Sequence, residues 1–223
     1  MSKSEKAASA ARVMIVDDHP LVRRGIASVI DSEADLRVCC EADSIADALQ
    51  RVRDGRPDLL IVDLSLGDGS GLDLVKRLRA QDPHLKILVC SMHDEQLFAQ
   101  RALAAGANGY IGKEQATEHV VDAVRHVLDG RTWLSRDMTE RALSGVTRGQ
   151  ADFARDPVAG LSDRELEVFE RIGRVCGPSQ IAEQLHLSVK TVETHREKIK
   201  RKLGLRSGVE LTRRALQWVT ECR

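Results

Sequence analysis

A doubly wound α/β domain followed by a small all-helical domain is the fold this sequence predicts. Three observations lead there. Five short apolar runs alternate with amphipathic stretches over the first 130 residues, periodicity fades between 131 and 160, and four short helical patterns follow. Strand and helix in alternation imply a parallel sheet with helices on both faces. The strands read as unbroken apolar runs because both faces of such a sheet are buried.

The runs are RVMIV (12–16), LRVCC (36–40), DLLIVD (58–63), LKILVC (85–90) and NGYIG (108–112). Helical spacing marks 20–31, 44–54, 70–81, 95–105 and 116–129 between and after them. Together they make a (βα)5 domain over 11–130. Residues 131–160 are rich in Gly, polar and charged side chains and read as a linker, with a helical turn near 137–143. From 161 to 223 the chain predicts four helices. The first is capped by Ser162 with Glu165 in capping-box spacing. The second opens on Pro178, and the third starts after Ser188 and stops at Gly204. The last starts near 207 and carries Val209, Leu211, Leu216 and Val219.

Charge separates the two parts. Residues 1–160 hold 21 basic and 25 acidic side chains, whereas 161–223 hold 13 and 9, so the tail is the part suited to a polyanion. Five cysteines without CxxC spacing argue against a disulfide framework, and Cys39, Cys40 and Cys90 lie in apolar runs as expected of core residues. The opening MSKSEKAASA lacks an apolar signal core, and no apolar stretch approaches the roughly 18 residues of a membrane helix. A cytoplasmic protein is expected.

Open parallel sheets bind ligands beyond the carboxyl ends of their strands. Those ends here carry Asp17 and Asp18, Asp63, Ser91 and Lys113. With strand order 2-1-3-4-5 the first and third strands are neighbours, and their three carboxylates converge. Such acids repel one another, and a hard divalent cation such as Mg²⁺ relieves the conflict. Lys113 and Ser91 suit phosphoryl oxygens. The set describes phosphoryl transfer to Asp63. Taken singly, an Asp after a strand is ordinarily a turn or cap residue; the convergence of all of them carries the reading.

The segments IVDDHP (15–20), LIVDLSLGDGSGLDL (60–74), CSMHD (90–94) and AAGANGYIGKE (104–114) resemble the receiver domain of two-component response regulators. The resemblance implies that Asp63 is the phosphoacceptor, that Asp18 ligates Mg²⁺ directly and Asp17 through water, and that Ser65 offers its backbone carbonyl. It further implies phosphoryl contacts from Ser91 and Lys113, and a rotamer change of Tyr110 on activation. Where many receivers carry Met-Pro after the acceptor strand, this chain has Leu66-Gly67.

In the tail, six basic residues between Lys190 and Lys202 share a helix with Glu193 and Glu197. Val192, Ile199 and Leu203 recur at helical spacing as its packing face. Short helix, tight turn and basic helix suit a helix-turn-helix in the major groove. The stretch LSDRELEVFERI…QIAEQLHLSVKTVETHREKIKRKLGL resembles the LuxR-type helix-turn-helix. By that resemblance Lys190, Thr191, His195, Lys198 and Lys202 hold phosphates, Glu193, Thr194 and Glu197 face base edges, and the last helix dimerises. Val175 stands where the family often has glycine, and Pro178 where it has a polar residue.

The resemblance implies a transcription factor whose only catalysis is its own phosphorylation and dephosphorylation. Its partners would be a sensor histidine kinase, double-stranded promoter DNA and RNA polymerase, with a homodimer formed on phosphorylation. Rival readings fit less well. Dehalogenase-type phosphatases need a second carboxylate two residues after the nucleophile, where Ser65 stands. A flavodoxin lacks support from a chain with 3% aromatics, and the Asp63 set speaks against a lactone-binding quorum sensor.

Overall fold

The computed structural model describes residues 10–67, 69–136, 138–140, 158 and 160–221. They fall into two compact units divided between Leu134 and Ser135. The first contains β1 (Ala11–Val16), α1 (Pro20–Asp31), β2 (Leu36–Ala42), α2 (Ile45–Gly55), β3 (Leu59–Val62), β4 (Ser65–Leu66) and β5 (Gly69–Ser70). It continues with α3 (Gly71–Gln81), β6 (Lys86–Ser91), α4 (Glu95–Ala105), β7 (Gly109–Gly112) and α5 (Lys113–Leu128). Five strands pair in parallel in the order β2-β1-β3-β6-β7, and β4 and β5 form a separate antiparallel hairpin. Setting the hairpin aside, this is the 2-1-3-4-5 order expected from sequence. Apolar periodicity does not reveal the hairpin, because two-residue strands are too short to show a period.

Alternation along the strands sorts the core into two layers. Val13, Ile15, Leu59, Ile61, Leu88, Cys90 and Ile111 face one way and pack with Ile26 and Ile30 of α1 and Val120, Val124 and Val127 of α5. Met14, Val16, Leu60, Val62, Ile87 and Val89 are buried on the opposite face. Each such aliphatic side chain contributes roughly 1.5–3 kcal/mol by leaving water. Caps fix where helices begin. Ser44 accepts from the Asp47 backbone N–H at 3.4 Å and Asp94 from that of Gln96 at 2.9 Å. After α5 the chain doubles back: Trp133 bridges to Gly109, and its ring meets His126 edge-on. Residues 131–134, read as linker from sequence, thus pack on the first unit.

The cysteines correct one expectation. Cys90 is buried in the sheet, but Cys39 and Cys40 are only half-buried, because β2 is an edge strand with one side uncovered.

The second unit contains α6 (Asp163–Gly173), α7 (Pro178–Gln184), α8 (Val189–Leu203) and α9 (Gly208–Glu221). The Ser162 capping box forms as read. The Ser162 hydroxyl accepts from Glu165 N–H at 3.3 Å, and the Glu165 carboxylate accepts from Ser162 N–H at 2.7 Å. Pro178 occupies the first turn of α7. Ser188 caps α8 by accepting from Thr191 N–H at 3.0 Å, and Gly204 ends that helix at φ 67°. Leu166, Phe169, Ile172, Ile181, Val192, Ile199, Leu211, Ala215 and Trp218 build the core, whereas Leu203 is half-buried and Val209 and Leu216 are exposed. Of the helical turn expected near 137–143, residues 138–140 are helical. Residue 137 and residues 141–157, like Cys222, lie outside the described residues.

Candidate functional site

Parallel register brings the acids together. Val16 pairs with Val62, and the Asp63 N–H donates to the Val16 carbonyl at 2.8 Å, so Asp17 and Asp63 leave adjacent strand ends side by side. Ser91 pairs with Gly112, which sets Lys113 one residue further on, at the start of α5. Gly71 lets α3 begin directly behind the acceptor loop: a β-carbon there would sit 2.0 Å from the Asp63 carbonyl oxygen.

Asp17 and Asp63 are almost fully buried, and Asp18 is more open. The Lys113 ammonium bridges Asp17 Oδ2 at 2.6 Å and Asp63 Oδ2 at 2.7 Å. Asp63 Oδ1 is buried with no hydrogen-bond partner among the described residues. Burial raises the Asp63 carboxyl above its usual range, against the pull of Lys113, and the neighbouring Asp17 adds to the rise. For Lys113 burial acts downward, but Asp63 and Asp17 outweigh it and the ammonium is raised. Ligand atoms of Asp17, Asp18, His19 and Asp63 all lie within 4.8 Å of one another. Hard carboxylate oxygens at that spacing, one of them orphaned, fit a hard divalent cation.

Two histidines escaped the sequence reading. His19 Nδ1 stands 2.6 Å from Asp18 Oδ1, and the only signal was its place directly after the acid pair. His93 is buried two residues beyond Ser91. Its N–H donates to Ser91 Oγ at 3.3 Å, its Nε2 lies 3.1 Å from Ser65 Oγ, and its ring stacks on Phe98 at 4.4 Å. The Tyr110 hydroxyl donates to the His93 carbonyl at 2.8 Å, and Tyr110 is fully buried. Ser65, Ser91 and Tyr110 are thereby joined through one residue.

On α8, Lys190, Glu193, Thr194, Glu197, Lys198 and Lys202 are exposed, and Thr191 and His195 are half-buried. Several are engaged within the helix. Thr194 Oγ1 donates to the Lys190 carbonyl at 2.9 Å, Glu193 lies 3.4 Å from Arg196, and Glu197 lies 2.8 Å from Lys200. Lys202 Nζ turns away to Glu165 Oε2 at 2.6 Å and the Gly160 carbonyl at 3.2 Å. Burial first, then the nearby Lys198 and Arg164 charges, lower the His195 pKa from its ordinary value, against the pull of Glu165. Val175 adopts φ 62° and His186 φ 50°. The first explains the glycine that the family often places there.

A model of the response regulator receiver domain matches residues 13–125. A model of bacterial regulatory proteins of the luxR family matches residues 159–215. The chain belongs to the response regulators. The oxygen regulatory protein NreC of Staphylococcus epidermidis RP62A is 37% identical to this response regulator over 211 residues, covering 92% of it and 97% of the relative. A LuxR-family two-component response regulator from Aurantimonas sp. SI85-9A1 is 33% identical with TM-score 0.58, covering 62% of this chain and all but 1% of its own (99%). RcsB from Salmonella enterica serovar Typhimurium, solved on promoter P1flhDC with phosphomimetic BeF3-, has TM-score 0.61. It covers 93% of this chain and 98% of its own at 24% identity, a likeness of fold. The regulator is thus a two-component protein with a receiver and a LuxR-type DNA-binding domain. No described helix is long and apolar enough to cross a membrane.

Proposed function

We propose that Asp63 accepts a phosphoryl group from a sensor histidine kinase and that this controls sequence-specific DNA binding by α8. One observation carries the reading: Asp63 Oδ1 is buried and unpartnered beside two further carboxylates, while Lys113 holds the other oxygen. A carboxylate oxygen of Asp63 attacks phosphorus, the O–P bond forms, and the N–P bond of the phosphohistidine breaks. Lys113 exchanges an ion pair with Asp63 for one with a phosphoryl oxygen, and the Ser91 hydroxyl donates to another. Asp17, Asp18, Asp63 and the Ser65 carbonyl would hold Mg²⁺, which neutralises charge gathered on the carboxylates and phosphoryl oxygens.

Asp63 and α8 belong to different compact units, so phosphorylation acts on DNA binding through a shift between arrangements of the protein. Tyr110 belongs to that shift, since its hydroxyl is tied to the segment that follows Ser91. In the DNA-bound state Lys190, Thr191, His195, Lys198 and Lys202 contact phosphates. Glu193, Thr194 and Glu197 turn to base edges, releasing their contacts within the helix. Val209 and Leu216, exposed seven residues apart on α9, supply a face for a homodimer. The domain assignment is a receiver over 11–130 with residues 131–134 packed on it, a linker over 135–160 and a DNA-binding domain over 161–223. The setting is the cytoplasm, with RNA polymerase as a further partner.

Acetyl phosphate supplies the test. Intact-mass measurement should show one added phosphoryl group on the wild type, only with a divalent cation, and none on Asp63→Asn. An undiminished mass shift in that variant would assign the acceptor elsewhere.

A further inference from the structure

Away from the acid pocket, the β1–β2 register breaks once. Val13 pairs with Val38 but Met14 with Cys40, so Cys39 is the extra residue of a β-bulge. In a regular strand neighbouring side chains point to opposite faces. Here the two sulfurs instead lie 3.5 Å apart, both half-buried on the edge strand. Cys40 opens onto a cleft of about 370 Å³ lined also by Asp47, Gln50, Arg51, Asp54 and Gly55. Gly55 makes room for the thiol, since a β-carbon there would sit 2.9 Å from Cys40 Sγ.

We propose that Cys39 and Cys40 form a bulge-built dithiol site that chelates a soft, thiophilic ligand of the trivalent arsenical class. The chemistry is a condensation without change of oxidation state. Two As–S bonds form, the As–O bond breaks, and the two thiol protons leave in water. Two alternatives fit the geometry less well. Consecutive α-carbons stand about 3.8 Å apart across a trans peptide, below the usual 4.4–6.8 Å of a disulfide, so a Cys39–Cys40 disulfide would be strained. Burial, reinforced by Cys39, pushes the Cys40 thiol up to about 12, which keeps it protonated and slow towards peroxides. A tetrahedral metal needs two further ligands. The only described cluster of His, Cys, Asp and Glu groups close enough to hold a metal is the one around Asp63. A three-coordinate arsenical brings its third substituent with it and needs only the pair.

Phenylarsine oxide tests this on the full-length chain with Cys176 and Cys222 changed to Ser and Cys90 left buried. One adduct per chain should persist in excess 2-mercaptoethanol and be stripped by 1,2-ethanedithiol. Losing the second sulfur, in Cys39→Ser or Cys40→Ser, should shorten retention against the monothiol on the order of 10²-fold, the gain that two linked contacts give over one. Gly55→Ala keeps both thiols and should shorten retention severalfold. No adduct on the parent chain, or an adduct equally resistant to monothiol in either serine variant, overturns the proposal. Should a serine variant lose its fold by circular dichroism, alkylation of the parent adduct decides. With iodoacetamide in denaturant, where both thiols of the arsenical-free parent react, protection of both Cys39 and Cys40 in the adduct supports chelation, and labelling of either overturns it.

Discussion

At the carboxyl edge of the sheet, one ammonium sits within 2.7 Å of two carboxylates that water barely touches. Along α8, six basic side chains and two acidic ones sit at or near the surface, several paired three residues apart on the same helix. Both regions concentrate charge, but only the first has paid its desolvation cost in advance. Buried charge is costly unless paired, so each pocket residue has a narrow set of roles. Surface charge is cheap and screened, so each helix residue has several.

The largest effect should come from removing the pocket cation. Lys113→Ala leaves Asp17 and Asp63 facing each other unpaired, at a cost of about 3–5 kcal/mol in urea denaturation near neutral pH. Burial already raises the Asp63 pKa, so its charged form is the one the fold disfavours. The deficit should shrink as pH falls and the carboxyl takes up a proton. A loss below 1 kcal/mol, or one independent of pH, would mean the pocket is solvated like the helix.

Next in size is a gain. Val175 is 71% exposed and held at φ 62°. A left-handed conformation costs a non-glycine residue about 1–2 kcal/mol, partly offset by the greater unfolded freedom of glycine. Val175→Gly should therefore stabilise the helical unit by roughly 0.5–1 kcal/mol, read from its denaturation midpoint. Destabilisation would show that the valine side chain packs.

Lys202 tests where the boundary between the two regimes lies, since its charge is shared with Glu165. Burial acts to raise the Glu165 carboxyl, but the Lys202 bond and the Ser162 N–H outweigh it and the pKa is lowered. The pair is partly exposed, so Lys202→Ala should cost only about 0.5 kcal/mol. A lowered carboxyl pKa stabilises the fold above the ordinary Glu value. The difference from wild type should therefore vanish as pH falls through the folded-state pKa. An unchanged stability with a reduced salt slope of DNA binding would instead mark Lys202 as a phosphate contact alone.

Smallest is Lys190→Ala. Stability should not change, and the slope of log affinity against log salt should fall by about 0.9, alike for all DNA sequences. A change confined to particular sequences would move Lys190 from the phosphates to the bases.

The sequence by itself determined the elements, their order and the strand-end residues. Apolar runs and 3.6-residue spacing report burial directly, and Ser162, Pro178, Ser188 and Gly204 act within one turn of themselves. Asp17, Asp63, Ser91 and Lys113 were legible because parallel register sends strand ends to one edge whatever the side-chain detail. Only tertiary structure decided what depends on residues distant in the chain. His93 becomes the link between Ser65, Ser91 and Tyr110 because β3 and β6 are neighbours. Lys202 meets Glu165 across 37 residues, and a one-residue slip against β1 brings the half-buried Cys39 and Cys40 sulfurs together on the edge strand. Local pattern fixes which surface a side chain leaves from. What it meets there depends on register and packing between elements, which short-range sequence periodicity does not encode.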